Sequence, residues 1–210
     1  MQKLLFIVAI IGGSIAILMG LALWKGGDSS VAEVDLMVAA ADWTAGNADA
    51  VATLVEYGDF QCPACAAWEP HMQALREEYG DRIRFVYRHF PLSQHQHAEL
   101  TAYAAEAAGA QGRFWEMHDK VYDTQSEWAG SASSDVREKL LGFARDFGLD
   151  MAKFGEDMDS DAVHDAVRAD FESGFRAGVD STPTFFIGDR KIQPRSPDEL
   201  RNLLDAALAS

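Results

Sequence analysis

The sequence predicts an α/β domain of order β-α-β, then a helical insertion, then β-β-α, preceded by an N-terminal transmembrane helix. Three observations carry this. A composition of 48% hydrophobic and 24% charged residues over 210 positions is that of a globular domain with something added, and it excludes disorder for the chain as a whole. A short β-branched run, Val51 to Tyr57, leads within one turn to Cys62-Pro63-Ala64-Cys65 and then to apolar residues at helical spacing. Near the C-terminus two apolar runs flank a Gly-Asp turn and precede a capped helix. The net charge of −15 offers no basic footprint for phosphates, so no nucleic acid partner is expected. Two cysteines are too few for a multi-disulfide scaffold or a four-cysteine zinc site.

From Leu4 to Trp24 no residue is charged, and Lys3 and Lys25 bracket the run. That length crosses a bilayer as a helix. It exceeds the roughly 7 to 15 residues of a signal-peptide core, which favours an uncleaved anchor (residues 1–25) over a cleaved signal. No Lys or Arg occurs between Gly26 and Leu75, so the flank has nothing to hold it on the cytoplasmic side, and the domain is expected outside. Without Lys3 and Lys25, sixteen basic residues face thirty-three acidic ones, a balance of −17 that anionic headgroups repel. The expected arrangement is a domain in the cell envelope, on the periplasmic or extracytoplasmic face, tethered by residues 4–24 or released after signal cleavage.

Residues 26–46 read as a linker opening with Gly26-Gly27-Asp28-Ser29-Ser30, and the domain as 47–210. Val51 to Tyr57 is the first strand. Trp68, Met72, Leu75 and Tyr79 then mark a helix from Pro63 to Tyr79, which Gly80 ends. Ile83 to Arg88 is a second strand, parallel to the first. A helical insertion follows over about 93–178. It comprises alanine-rich Ala98 to Ala110, a face of Phe114, Met117, His118, Val121 and Tyr122, another of Leu140, Phe143, Ala144 and Phe147, and a last stripe of Val163, Val167, Phe171 and Phe175. All are expected as core faces. Strands return at Thr184 to Ile187 and Arg190 to Ile192, and Ser196-Pro197-Asp198-Glu199 is a capping box for a final helix bearing Leu200, Leu203, Leu204 and Leu208.

A thiolate is the nucleophile of disulfide exchange, and a helix N-terminus favours that anion. Cys62 stands at such an N-terminus, and Cys65, one turn inward, can attack its sulfur and close a reversible disulfide. A purely structural disulfide is the plainer reading, but closing so short a loop stabilises by only about 2 kcal/mol. Two thiols with His71 or His89 would make a metal site, yet no histidine has a convincing ligand spacing. His89, His95, His97 and His118 read as ordinary surface or helix-packing residues. Glu56, six residues before Cys62 on the apolar strand, is expected to be poorly solvated, protonated, and able to exchange a proton with Cys65. The Thr182-Pro183 bond is trans by default for such a dipeptide.

Cys62-Pro63-Ala64-Cys65 with Glu56 upstream, Pro70 five residues after the second cysteine, and Val179 to Phe186 far downstream resemble the DsbA-like disulfide oxidoreductases, whose fold is the thioredoxin fold. Gly46-Asn47, Asp59-Phe60-Gln61-Cys62, Arg88-His89-Phe90-Pro91-Leu92 and Phe114-Trp115-Glu116-Met117-His118-Asp119 are similar to the same family's pattern, and the likeness runs from about Asp42 to Leu208. It implies a redox-active Cys62–Cys65 disulfide, with Cys62 the attacking and attacked thiol, Cys65 the resolving thiol and Glu56 the buried acid beneath them. It also implies a cis Pro183 facing the disulfide, a Thr182 backbone that pairs with an extended substrate, and a kink at Pro70. Ala64 departs from the family's strong oxidants, which have His there, so a less stabilised Cys62 thiolate is expected.

The expected function is therefore an exported thiol-disulfide oxidoreductase acting on reduced or oxidised protein substrates as a dithiol oxidase, reset by a membrane or soluble redox partner. No cofactor or metal is expected. A reductase of the same fold, and a non-catalytic binding or chaperone module, are the alternatives.

Overall fold

The computed structural model describes residues 38–209. The expected transmembrane segment and most of the linker lie outside these residues, and no described helix is long and apolar enough to cross a membrane. The strands are β1 (Trp43–Gly46), β2 (Ala52–Gly58), β3 (Ile83–His89), β4 (Thr184–Ile187) and β5 (Arg190–Ile192), joined in one sheet of order β1-β3-β2-β4-β5. β2 and β3 pair in parallel, and the other neighbours are antiparallel.

β2 is central because its apolar residues are covered on both faces: Leu54, Val55 and Tyr57 are all buried. Helix α1 (Pro63–Tyr79) crosses from β2 toward β3 with the bounds expected from sequence. Pro63 fits its first turn, where an N–H would go unpaired, and Gly80 closes it at a φ of 42°, donating its N–H to the Arg76 carbonyl. Pro70 lies inside this helix. Met72, Leu75 and Tyr79 pack with Leu54, Phe85 and Phe185 of the sheet and with Leu200 and Leu204 of the last helix, α8 (Pro197–Leu208). Ser196 accepts the Glu199 N–H at 3.2 Å as a capping box requires, but the Glu199 carboxylate reaches back to the N–H of Arg195 at 2.9 Å.

The insertion consists of α2 (Ala98–Gly109), α3 (Phe114–Asp123), α4 (Gln125–Trp128), α5 (Ser133–Asp146), α6 (Met151–Met158) and α7 (Asp161–Arg176). Ala104, Ala105, Ala107 and Ala108 are fully buried, so the small side chains of α2 let its neighbours approach closely. The expected faces of α3 and α5 are in the core, around Trp128 and Phe154.

Two expectations are corrected. Trp43 to Gly46 is not linker: it is β1, paired with β3 and held by Trp43, which stacks on Phe114 at 4.6 Å and donates its indole N–H to Glu106 at 2.7 Å. Four residues without alternation become a strand only through these distant partners. Phe175 is 71% exposed, because a stripe repeating every four residues drifts around a helix of 3.6 residues per turn, and Gly174 takes the buried position in that turn. Of the histidines read as surface or packing residues, His89, His97 and His118 are packed: each is buried and hydrogen-bonded. The Thr182-Pro183 bond is cis, as the family resemblance implied.

Candidate active site

The strand register sets the site. Tyr57 pairs with Thr184 and Glu56 with Phe185, so the turn after β2 and the proline segment before β4 leave the same end of the sheet. Asp59 shapes that turn. Its carboxylate, 2% exposed, accepts the N–H groups of Gln61 at 2.8 Å and Leu92 at 2.9 Å and lies 2.7 Å from the His95 ring, while its carbonyl accepts the Cys62 N–H at 3.0 Å. The insertion grips the turn from the other side. Gln125 donates to the carbonyls of Phe60 and Cys62 at 2.7 and 3.0 Å, and Gln61 donates to Ala129 at 2.8 Å and accepts from the His97 N–H. The thiols are thus fixed between two packed bodies of the domain.

Cys62 is the N-cap of α1, with both cysteines free and buried. Its thiol donates to the Thr182 carbonyl at 3.3 Å, which brings the proline segment against the reactive sulfur as the sequence implied. The Cys65 thiol hydrogen bond pulls the Cys62 pKa down to about 5; burial opposes this, and the Thr182 side chain and the N–H groups of Cys65 and Ala64 add to it. Ala64 places no side-chain cation beside the sulfur; the pKa is lowered mainly by the neighbouring thiol, with the Ala64 amide the smallest contribution. Cys65 goes the other way. Burial pushes it well up, and the Cys62 hydrogen bond and the charge of Glu56 reinforce this.

Glu56 is 4% exposed, and burial raises its pKa to about 8, with Glu69 adding to the rise and Arg76 opposing it. A carboxyl mostly protonated at neutral pH and electrostatically coupled to Cys65 can give or take that thiol's proton. Beyond it lies a cluster that sequence reasoning missed. Arg76 donates to both Glu69 and Asp119 at 2.8 Å, and the His118 ring lies 2.8 Å from Asp119 and 3.9 Å from Glu69. Glu69, four residues after Cys65 on the helix face that turns inward, was legible as one turn beyond the thiol.

Among the described residues two groups have the donor atoms of a metal site, Glu69/His118/Asp119 and His89/Glu106/Asp170, and neither includes a cysteine. In the first the Arg76 guanidinium already bridges the carboxylates. In the second His89 contacts Glu106 at 3.0 Å and donates its N–H to Asp170 at 2.9 Å, so the acids already have partners.

A parallel β-α-β unit with paired thiols at the helix start, closed by a cis-proline segment, defines a thioredoxin-fold protein. The chain belongs to the thioredoxin family, whose model, described as thioredoxin, matches residues 39–206. Among solved structures it is similar to the thiol-disulfide exchange protein alpha-DsbA2 of Wolbachia pipientis, at TM-score 0.70 and 19% identity over 82% of this chain and 90% of that one. It is also similar to a periplasmic thioredoxin-like protein of Salmonella enterica serovar Typhimurium, at TM-score 0.67 and 19% identity over 89% of this chain and all of the other. A curated relative, a Na(+)/H(+) antiporter NhaA of Herminiimonas arsenicoxydans, is 40% identical over 152 residues, 72% of this chain and 23% of that protein. The chain spans about a quarter of the length of the curated relatives it matches.

Proposed function

We propose that the chain is an extracytoplasmic thiol-disulfide oxidoreductase that works as a dithiol oxidase on protein substrates. The observation that carries the reading is the opposed acidity of two adjacent thiols, Cys62 near pKa 5 and Cys65 far above the usual thiol range. Cys62 is then the better leaving group and the sulfur that holds the mixed disulfide.

In the oxidising direction a substrate thiolate attacks Cys62 of the Cys62–Cys65 disulfide. The S–S bond breaks, Cys65 leaves as thiolate and takes a proton from Glu56, and substrate and Cys62 are joined. A second substrate thiolate attacks the substrate sulfur of the mixed disulfide, which forms the substrate disulfide and expels the Cys62 thiolate. A disulfide-bearing redox partner, membrane-bound or soluble, then takes the two electrons back. The edge at Thr182 and Pro183 is available for an extended substrate chain to pair with. The uncharged run Leu4 to Trp24 and the periplasmic likeness support an envelope location with an N-terminal tether or signal.

At pH 7 a thiol of pKa about 5 lies roughly two pH units into its ionised range, which stabilises the reduced form by about 3 kcal/mol, or about 60 mV, over an ordinary thiol. The test is the equilibrium potential of the Cys62/Cys65 pair in glutathione buffers. A value toward the −120 mV of the strong oxidant DsbA supports an oxidase; one near the about −270 mV of thioredoxin makes the chain a reductase. If no exchange occurs and Cys65→Ala traps no substrate on Cys62, the binding-module reading replaces both.

A further inference from the structure

The Asp59 side chain has no exposed surface, yet the turn it shapes needs no ion, since a neutral Asn or Ser side chain can accept the Gln61 N–H as well. A carboxylate sealed three residues before a sulfur that itself becomes an anion costs free energy unless a positive partner meets it. We propose that Asp59 and His95 are a positioning pair for Cys62, in which the imidazole holds and neutralises the carboxylate that shapes the turn presenting the thiol. Their role belongs to the thiol exchange proposed above and rests on that reading.

The contacts form a clasp. His95 donates its N–H to the Leu92 carbonyl at 2.9 Å, which closes the turn Leu92-Ser93-Gln94-His95 between β3 and α2. The two ends of that turn meet one oxygen, Asp59 Oδ2: the Leu92 N–H at 2.9 Å and the His95 Nδ1 at 2.7 Å. An ionised carboxylate only accepts, so Nδ1 carries the hydrogen of this bond, and a second proton on Nε2 makes the ring a cation without breaking it. Asp59 Oδ1 takes the Gln61 N–H at 2.8 Å, and the Asp59 carbonyl takes the Cys62 N–H at 3.0 Å. One residue thereby joins a loop that lies 33 positions further along the chain to the residue bearing the reactive sulfur, which faces the Thr182 carbonyl at 3.3 Å.

The charges call for a cation at this point. Among the described residues His95 is the ion-pair partner of Asp59, whereas Arg76 is drawn off by Glu69 and Asp119, and Arg88 by Asp42. Ala64 puts no cation between the thiols, and no Lys or Arg occurs from Gly26 to Leu75, so the turn is served from the β3–α2 loop instead. The other titratable groups around the turn are Cys62, Cys65 and, on β2, Glu56. Burial keeps Cys65 and Glu56 protonated at neutral pH, so the charges that can change with the state of the site are those of Cys62 and His95. The His95 side chain is 18% exposed and can exchange protons with water, as the sealed Asp59 cannot. Without the imidazole, Asp59 acts on Cys62 as an unscreened like charge, which disfavours the thiolate and weakens the reduced form.

The experiment titrates the Cys62 thiolate by its absorbance and measures the Cys62/Cys65 equilibrium with glutathione at pH 7.5, in the full chain and in His95→Gln, Asp59→Asn and the double variant. Gln keeps an N–H for the carboxylate and carries no charge. His95→Gln should raise the Cys62 pKa by about one unit and shift the glutathione equilibrium about tenfold toward the disulfide, or about 30 mV toward a more reducing potential. Adding Asp59→Asn should bring both values back, because the uncompensated charge is gone, whereas a clasp of purely structural effect would be loosened further. An unchanged thiolate titration in His95→Gln, or a rise that Asp59→Asn does not reverse, overturns the pair. Should a variant at Asp59 fail to fold, His95→Ala with added imidazole decides: imidazole should lower the raised pKa again, and no effect of imidazole overturns the pair. Absence of any exchange between the unaltered protein and glutathione overturns the exchange reading instead, while the thiolate titration still reads the pair.

Discussion

Replacing Glu56 by Gln should make the reduced protein more stable at neutral pH while slowing its exchange. Burial raises the Glu56 pKa from an ordinary 4.5 to about 8, so folding at pH 7 forces an ionised group to take up a proton. This cost is absent below pH 4.5, where both states are protonated, grows as the pH rises toward 8, and is constant above. At pH 7 the group lies about 2.5 pH units above its unfolded pKa, which at about 1.4 kcal/mol per unit is about 3 kcal/mol. Gln keeps the shape and one acceptor and does not titrate. Glu56→Gln should therefore gain about 3 kcal/mol over the parent between pH 4 and pH 7, some 6–12 °C in midpoint for a chain of this size. Urea denaturation of the reduced proteins at pH 4, 5.5 and 7 measures it. The Cys62 contribution is common to both proteins and cancels. A stability difference that does not change with pH would refute the reasoning, since it would mean that Glu56 ionises alike in the folded and unfolded states.

Alkylation of the reduced domain should label Cys62 with a half-point near pH 5 and leave Cys65 unlabelled through pH 8, read by mass spectrometry; labelling of Cys65 first would reverse the assigned roles. The Thr182 side chain, buried beside Cys62, lowers the Cys62 pKa by hydrogen bonding, so Thr182→Val should raise that pKa by roughly a unit, seen in the thiolate absorbance, while the Thr182 carbonyl is retained. Gly174→Ala would place a Cβ 2.8 Å from Phe90 and 2.9 Å from Tyr57, so denaturant unfolding should show a loss of about 1 to 3 kcal/mol; an unchanged midpoint would mean that both rings yield freely.

Much of the fold is local and can be read from the chain. Pro63 and Gly80 bound α1, the Gly188 turn at a φ of 60° separates β4 from β5, and Ser196 starts α8, each through an effect that reaches no more than four residues. Cys62 and Cys65 are legible for the same reason, since their spacing and their place before a helical stripe are both short-range. The burial of Glu56 follows from its apolar strand. The remainder depends on residues distant in the chain. β1 is a strand because Tyr87 and Phe114 receive Trp43, and Phe175 is exposed because Gly174, one residue before it, is the position of α7 that meets Phe90 and Tyr57. Asp59 holds the active turn through Leu92 and His95, and Glu69 meets His118 and Asp119 through Arg76, partners that no periodicity links. The acidity of Cys62 is decided in part by Thr182, 120 positions away. Helix and strand patterns are set by neighbours two to four residues along the chain, whereas desolvation and electrostatic potential are sums over whatever the tertiary fold brings near.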